Sequence, residues 1–173
     1  MVDSGKYNPK HKCGNAKGKL TFDDSEFLYE MKDIKISEVH IYTTNNKKFN
    51  NQFLCGYQIF YNYNGQLVTP GIRGPLVLTD NGEYTSQISG NKTDCAKFTL
   101  GEDEIINFVD IRSGWIVDGL DLVTSKGNYI NGGGKGGSNH SFEGKKFIGF
   151  YGNYDEDHNE WDTIYQLGCI FEK

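Results

Sequence analysis

The amino-acid sequence predicts an all-β fold, and three observations carry the prediction. The 173 residues include 11 Tyr and 11 Phe, and aromatic side chains suit the half-buried surface of a sheet. The chain has 22 Gly but only 3 Pro, as expected for many short strands joined by glycine turns. Apolar and polar residues alternate in several segments, and one glycine-marked pattern occurs three times. Together these features favour a pseudo-symmetric prism or barrel.

Strands are predicted where alternation is clearest, as in Val39-His40-Ile41-Tyr42 and in residues 57–63. A period of two places every second side chain on one buried face. Turn signals separate these segments, and Asn64-Gly65 is the best candidate for a tight hairpin. Residues 101–106 have the only helical composition, and the segment is too short to outweigh its surroundings. We therefore expect little or no helix.

The repeat consists of three units, each with a glycine followed by an alternating strand. The marking glycines are Gly56, Gly119 and Gly168. Three related β-units in one chain indicate threefold pseudo-symmetry with loops of unequal length. An immunoglobulin-like sandwich is the second choice, but its Cys, Trp, Cys order is absent from the sequence.

Several motifs, taken in order, resemble those of jacalin-related lectins. The matching segments are Gly14–Gly18 before Phe22-Asp23-Asp24, residues 103–111 with 116–124, the glycine run 132–137 before Ser141-Phe142, and residues 147–152 with 167–171. The resemblance covers almost the whole chain. It implies one domain, residues 1–173, folded as a β-prism of three four-stranded Greek-key sheets around a pseudo-threefold axis.

The resemblance also implies where a ligand would bind. Members of the family hold monosaccharide hydroxyls between an N-terminal glycine loop and a C-terminal Gly-x-x-x-Asp loop. Backbone N–H groups on glycine turns donate, a carboxylate accepts, and a ring can stack on the sugar. The corresponding ligand-binding residues here are Gly14, Gly18, Trp161, Asp162 and Tyr165.

The C-terminal motif departs from the family pattern in either register. Alignment on Leu167-Gly168 places the family's Asp on Tyr165 and its Gly on Trp161. If Asp162 is the acceptor instead, the glycine position falls on His158. Neither alignment restores Gly-x-x-x-Asp, so the sequence predicts a divergent sugar site.

An acidic insertion, residues 153–162, occupies this position, and five of its ten residues are carboxylates. Three readings stay open: a solvated loop, a remodelled ligand or protein-contact loop, and, ranked last, a Ca²⁺ site. The spacing excludes an EF-hand. Trp161 either stacks on a ligand, anchors a partner or packs onto the end of the prism.

The sequence gives no sign of catalysis, a metal site or a cofactor. The four cysteines, Cys13, Cys55, Cys95 and Cys169, lack zinc-site spacing, and Cys55 and Cys169 are expected to be buried free thiols. The four histidines are scattered along the chain. The glycine run 131–137 lacks the Gly-Lys-Ser/Thr of a phosphate loop and is interpreted as a connection between strands.

The net charge and the hydropathy of the chain argue against nucleic acid and the membrane interior as partners. A formal net charge of −5 leaves no basic field for nucleic acid. Residues 1–18 are a polar N-terminal segment with the first glycine loop. Within it, residues 1–12 lack the roughly 7 to 15 apolar residues of an export signal, and we expect a cytoplasmic protein without a membrane span.

Three functions follow from this sequence. The first is a non-catalytic lectin-like domain that binds carbohydrate of the mannose or galactose type. The alternative is a structural or assembly subunit that uses the prism for contacts with a protein partner, and an oligomer fits either. A glycan-processing enzyme ranks last, because consecutive acids in one loop do not provide two carboxyls across a cleft.

Overall fold

The computed structural model describes residues 5–156 and 161–173. Within these ranges the chain forms short antiparallel strands and one short helix. The elements are β1 Tyr7–Pro9, β2 Cys13–Gly14, β3 Leu20–Asp23, α1 Asp24–Leu28, β4 Lys35–Asn46, β5 Asn51–Tyr63, β6 Gln66–Val68, β7 Leu76–Leu78, β8 Tyr84–Ser86, β9 Lys92–Thr99, β10 Ile106–Ser113, β11 Val117–Thr124, β12 Tyr129–Gly133, β13 Ser138–Glu143, β14 Phe147–Tyr154 and β15 Ile164–Glu172.

Three sheets form the walls of a β-prism. The first has the order β1-β15-β14-β3, with β2 also paired to β15, and it joins the two ends of the chain. The second has the order β12-β11-β10-β13, and the third has the order β6-β5-β4-β9. A separate hairpin, β7-β8, precedes β9. The all-β prism predicted from the sequence is confirmed.

The core lies between the three walls. Ile59 of the third sheet, Leu120 of the second and Phe150 of the first are all fully buried in one apolar cluster. Cys55 and Cys169 are buried free thiols, as expected from their apolar strands. Burial of apolar side chains from all three sheets stabilises the prism, at about 25 cal/mol for each Å² removed from water.

Across residues 5–156 and 161–173, helix is confined to α1, and residues 101–106 form none. Asp23 caps α1 by accepting a hydrogen bond from the Ser25 backbone N–H at 2.9 Å. No helix within residues 5–156 and 161–173 has the length and apolar character needed to cross a membrane.

The pseudo-threefold axis passes close to Thr163. Its hydroxyl oxygen lies 2.7 Å from the carbonyl oxygen of Leu54, 3.2 Å from that of Val117 and 3.3 Å from that of Ile164. These three carbonyls belong to the third, second and first sheets. Leu54, Val117 and Ile164 are therefore equivalent positions in the three units.

Three glycines confirm this equivalence, because each has a positive φ and packs against the carbonyl of the next equivalent position. The pairs are Gly74 with Cys55, Gly133 with Asp118, and Gly14 with Tyr165. A Cβ on any of these glycines would lie 2.0 to 2.3 Å from that carbonyl oxygen, so no larger residue fits.

The structure corrects the register of the third repeat unit. The strand pair Gly119 with Gly133 in the second unit corresponds to Gln166 with Gly14 in the first sheet. Gln166, and not Gly168, is therefore the counterpart of Gly119. Alignment of the repeat motifs gave the wrong register because Gly168 lies two residues further along the same strand.

Candidate functional site

The glycine loop near the N-terminus and the C-terminal loop meet at one end of the prism. The Asn15 backbone N–H donates to the Tyr165 carbonyl at 3.0 Å. The Gly18 N–H donates to Asn153 Oδ1 at 3.0 Å, and the Lys19 N–H donates to Asp155 Oδ1 at 2.6 Å. The structure thus brings Gly14, Gly18 and Tyr165 together, as the resemblance implies.

Asp162, the acceptor expected from the sequence, is buried and accepts hydrogen bonds from four side chains. Both of its carboxylate oxygens accept hydrogen bonds from side chains associated with the third sheet and the loop before β9. The donors are Asn46 Nδ2, Thr44 Oγ1 and Asn91 Nδ2, each at 2.9 Å, and Ser86 Oγ. Oδ2 accepts three of these hydrogen bonds and Oδ1 accepts one, and the residue is fully buried. Asp162 therefore fastens the C-terminal loop and is not exposed to a ligand in this conformation.

Trp161 is packed against the prism. Its ring stacks on Phe49 with centroids 4.0 Å apart and planes 12° apart, and it lies 5.9 Å from the Phe53 ring. Phe53, Ile116 and Tyr165 form the buried cluster beneath it. This geometry favours the packing role among the alternatives for Trp161. His158 and the middle of the acidic insertion lie outside the described residues. The Ca²⁺ site considered for this insertion therefore stays a prediction.

The equivalent position in the second unit does carry the acceptor. Tyr165 of the first sheet corresponds to Asp118 of the second, because Gly134 N–H donates to the Asp118 carbonyl at 2.8 Å just as Asn15 N–H donates to Tyr165. Four residues before Asp118 lies Gly114. Residues 114–118 therefore have the Gly-x-x-x-Asp spacing that the C-terminal loop lacks.

The Asp118 carboxylate faces the glycine run between β12 and β13. A Cβ added to Gly136 would lie 2.7 Å from Oδ1, and one added to Gly137 would lie 2.9 Å from Oδ2. The residue is 7% exposed. No hydrogen bond from a described residue reaches its carboxylate, and the carboxylate oxygens are not among the fully buried unpaired atoms of the described residues, so they keep some contact with solvent. Burial raises the pKa of Asp118, and the Arg112 charge partly opposes this shift. Asp118 is thus a desolvated acceptor with unused lone pairs.

The Arg112 side chain hydrogen-bonds to the backbone of the glycine run between β12 and β13. Its Nε donates to the Gly134 carbonyl at 2.8 Å, and its Nη1 pairs with Asp121 and lies 3.9 Å from Asp110. Two acids therefore compensate the guanidinium charge. Because the arginine holds the carbonyl of Gly134, the backbone N–H groups that follow are fixed in direction.

An open depression of about 480 Å³ lies beside this loop. One wall is the tip of the β4-β5 hairpin, with the amides of Asn50, Asn51 and Gln52, and the other is Gly134 and Lys135. Gly136 separates Asp118 from Asn51, since its Cβ position is 3.6 Å from Asn51 Nδ2. Asp118 does not itself line the depression, and the glycine without a side chain lies between the two. Volumes of 300 to 1,000 Å³ are typical of small-molecule sites, so about 480 Å³ suffices for a monosaccharide.

Trp115 lies within the same five-residue motif and is 57% exposed. Its carbonyl accepts a hydrogen bond from Asn15 Nδ2, and the Lys17 ammonium lies 4.4 Å from the ring centroid. The glycine loop of the first sheet thus supports the tryptophan of the second. An exposed, supported aromatic ring provides a flat apolar face next to polar donors and acceptors.

Asp118 and Trp115 are absent from the ligand residues predicted from the sequence. The motif was sought only at the C-terminal copy, where the family's site lies. The threefold repeat was the signal that could have located it, because residues 114–118 stand immediately before the second marking glycine.

Comparisons with known proteins agree with this architecture. The family model for the jacalin-like lectin domain matches residues 58–169, which is more than half of the chain. A mannose-specific jacalin-related lectin from Morus nigra, solved in complex with mannose, superposes with a TM-score of 0.67 at 16% identity, covering 100% of this chain and 99% of that one. A mannose-binding jacalin-related lectin from Ananas comosus gives a TM-score of 0.65 at 15% identity, covering 96% and 97%. Single-chain recombinant jacalin gives 0.66 at 18% identity, covering 96% and 94%. No curated protein matches the sequence.

Proposed function

Because this chain belongs to the jacalin-like lectin domain family, we propose that it is a non-catalytic carbohydrate-binding protein that binds its sugar at the second unit of the prism. The relatives from Morus nigra and Ananas comosus bind mannose. A hexose of the mannose or galactose type is therefore the first ligand to test.

The observation that carries the proposal is the unsatisfied carboxylate of Asp118 in an intact Gly-x-x-x-Asp segment. A carboxylate accepts hydrogen bonds from two neighbouring hydroxyls of a sugar ring, and glycine N–H groups donate to the ring oxygens. The buried position strengthens such bonds, because water competes less for the acceptor. A hydroxyl pair would thus replace the hydration that Asp118 loses on burial.

Trp115 and the hairpin amides provide the rest of the proposed site. The exposed indole gives an apolar face for the C–H side of a hexose. The amides of Asn50 and Asn51 line the adjacent depression and reach hydroxyls that project away from Asp118. A site with one stacking ring and several amides selects a ring-shaped polyol over a charged ligand.

A glycan array followed by titration calorimetry with the bound sugar tests the proposal. Asp118→Asn keeps the shape but removes the charged acceptor, and we expect affinity to fall about 10- to 100-fold, equivalent to about 1 to 3 kcal/mol. Asp94→Asn removes the same charge from an exposed position on β9 and should leave the affinity unchanged.

Two results would contradict the proposal. Equal losses in both variants would show that net charge, and not the acceptor, governs binding. A wild-type protein that binds no glycan would favour the assembly-subunit alternative. One observation supports that alternative: the end of the prism formed by Trp161 and Tyr165 is closed by packing.

A further inference from the structure

Three side chains with nitrogen and sulfur donors meet at the junction of the first and second sheets, away from Asp118. A ring nitrogen of His11, Sγ of Cys13 and a ring nitrogen of His140 all lie within 4.8 Å of one another. We propose that these three residues bind a zinc ion. Spacing along the chain gave no sign of this site, since His140 comes from a distant strand.

The fold explains how the three residues meet. Residues 10–14 run beside β15, with the Lys10 N–H donating to the Cys169 carbonyl at 2.9 Å and Cys13 paired with Leu167. Pro9 lies opposite Ile170 and Cys13 opposite Leu167, so the segment has one residue more than β15 over this stretch, and His11 lies beside Cys13 in the bulge. His140 lies on β13, the edge strand of the second sheet, opposite Ile111.

The two neighbouring lysines contact aromatic rings of the first sheet. The Lys12 ammonium lies 5.6 Å from the Tyr151 ring centroid, and the Lys10 ammonium lies 5.8 Å from the Phe171 ring centroid. Phe142 packs edge-on against the His11 ring, with centroids 4.9 Å apart.

The nitrogen and sulfur ligand atoms determine which metal ion fits the site. Two imidazoles and a thiolate suit Zn²⁺ and exclude Ca²⁺ and Mg²⁺, which require oxygen ligands. With Zn–S near 2.3 Å and Zn–N near 2.0 to 2.1 Å, tetrahedral ligand atoms lie roughly 3.3 to 3.7 Å apart. Rotation of the exposed His11 side chain closes the remaining gap. Water takes the fourth position, and the Cys13 proton passes to solvent as the Zn–S bond forms.

Zinc would connect the N-terminal segment to the second sheet. Cys13 is held on the first sheet by β15, and His140 is held on the second sheet by β10. A shared ion therefore links two walls of the prism without a disulfide. The expected consequence is a higher melting temperature in the presence of zinc, because the ion binds only the folded arrangement.

Metal titration of the full chain, without a histidine tag, tests the site. We expect one zinc per chain, and a cobalt-substituted sample with visible bands of tetrahedral Co²⁺ and a near-ultraviolet thiolate-to-cobalt band. His11→Asn and His140→Asn should each weaken zinc binding by more than about 100-fold, since even outer-shell partners contribute about 10- to 100-fold. Cys13→Ser should abolish the thiolate band. Cys95→Ser, which removes an exposed thiol elsewhere, is the matched control and should change nothing.

The outcome is informative even if Cys13→Ser destabilises the fold, because His11 is exposed and His11→Asn should fold normally. Zinc binding that survives both histidine substitutions, or a cobalt complex without the thiolate band, would overturn the proposal. Asp118→Asn should retain zinc binding in full, which separates this site from the proposed sugar site.

Discussion

Asp118 and Asp162 are both buried aspartates in the same prism, but they differ in what surrounds the carboxylate. Asp162 accepts four hydrogen bonds from Thr44, Asn46, Ser86 and Asn91. Asp118 accepts none from the described residues and faces glycine backbone. Burial alone therefore does not identify a ligand-binding carboxylate. The hydrogen bonds already made and the remaining contact with solvent do, because only a lone pair that contacts water can exchange it for a ligand hydroxyl.

The two tryptophans repeat this contrast. Trp161 is stacked on Phe49 and closes the end of its unit, whereas Trp115 remains 57% exposed. The units share a backbone arrangement but differ in whether the aromatic ring of the loop is used for packing. The loop of one unit is thus built for stability, and the equivalent loop of another unit has the groups available for recognition.

The largest expected effect is on stability at the closed end. Asp162→Ala leaves four neutral donors without their acceptor, and each buried donor left unpaired costs about 1 to 3 kcal/mol, so we expect a total loss above about 3 kcal/mol. Urea unfolding followed by tryptophan fluorescence should show that loss. Asp118→Ala removes no hydrogen bond of the described structure and should cost less than about 1 kcal/mol. If both variants lost a similar amount of unfolding free energy, Asp162 would not be the structural carboxylate and Asp118 the free acceptor.

Substitution of the two tryptophans should distinguish stability from sugar affinity. Trp161→Ala removes the stack on Phe49 and should lower the free energy of unfolding by about 1 to 3 kcal/mol, with sugar affinity unchanged within about twofold. Trp115→Ala should change stability by no more than about 0.5 kcal/mol but weaken sugar binding up to about tenfold. Denaturation and calorimetry on both variants check this, and a loss of affinity in Trp161→Ala alone would reverse the assignment.

A methyl group can test access to Asp118 without altering the carboxylate. In Gly136→Ala the new Cβ lies 2.7 Å from Asp118 Oδ1 and displaces it. We expect sugar affinity to fall about tenfold, or about 1.4 kcal/mol, while circular dichroism stays unchanged. In Gly101→Ala the nearest atom is Lys126 Nζ at 3.5 Å, so this control should bind normally. Normal binding by Gly136→Ala would place the sugar elsewhere.

The smallest effect concerns pH. Burial raises the pKa of Asp118, with the Arg112 charge opposing it. A raised pKa in the folded state means that the stability contribution is complete below the unfolded value of about 3.9 and is lost as pH rises through the folded pKa. Asp118→Asn avoids this loss, so its stability relative to wild type should increase from about pH 4 upward. Unfolding curves across that window, with Asp94→Asn as control, should show a difference for Asp118→Asn only.

Much of the fold could be predicted from the sequence, because alternation and the repeat are local properties. The family resemblance, the β-prism and the buried thiols of Cys55 and Cys169 are confirmed. The register of the third unit was wrong, since Gly168 lies on the right strand but two residues past the equivalent position. The helix α1 was missed because five residues are too few to produce a period of 3.6.

The site was harder to predict, because its character depends on contacts between distant residues. Nothing in the acidic run shows that Asp162 meets Asn46 and Thr44, which lie more than a hundred residues earlier. The convergence of Gly14 and Gly18 with Tyr165 did follow from the family. Asp118 required knowing which positions are equivalent, and that equivalence comes from backbone geometry.

The contacts of Thr163 have a consequence for how such a molecule can diversify. The three units meet around one hydroxyl through main-chain carbonyls, which every amino acid possesses. A substitution at Asp118, which follows one of these three positions, therefore changes the chemistry of one unit without removing a main-chain carbonyl from this contact. A duplicated ancestor of this kind can lose or gain a binding site in each copy separately, so the valency of the protein can evolve independently of its architecture.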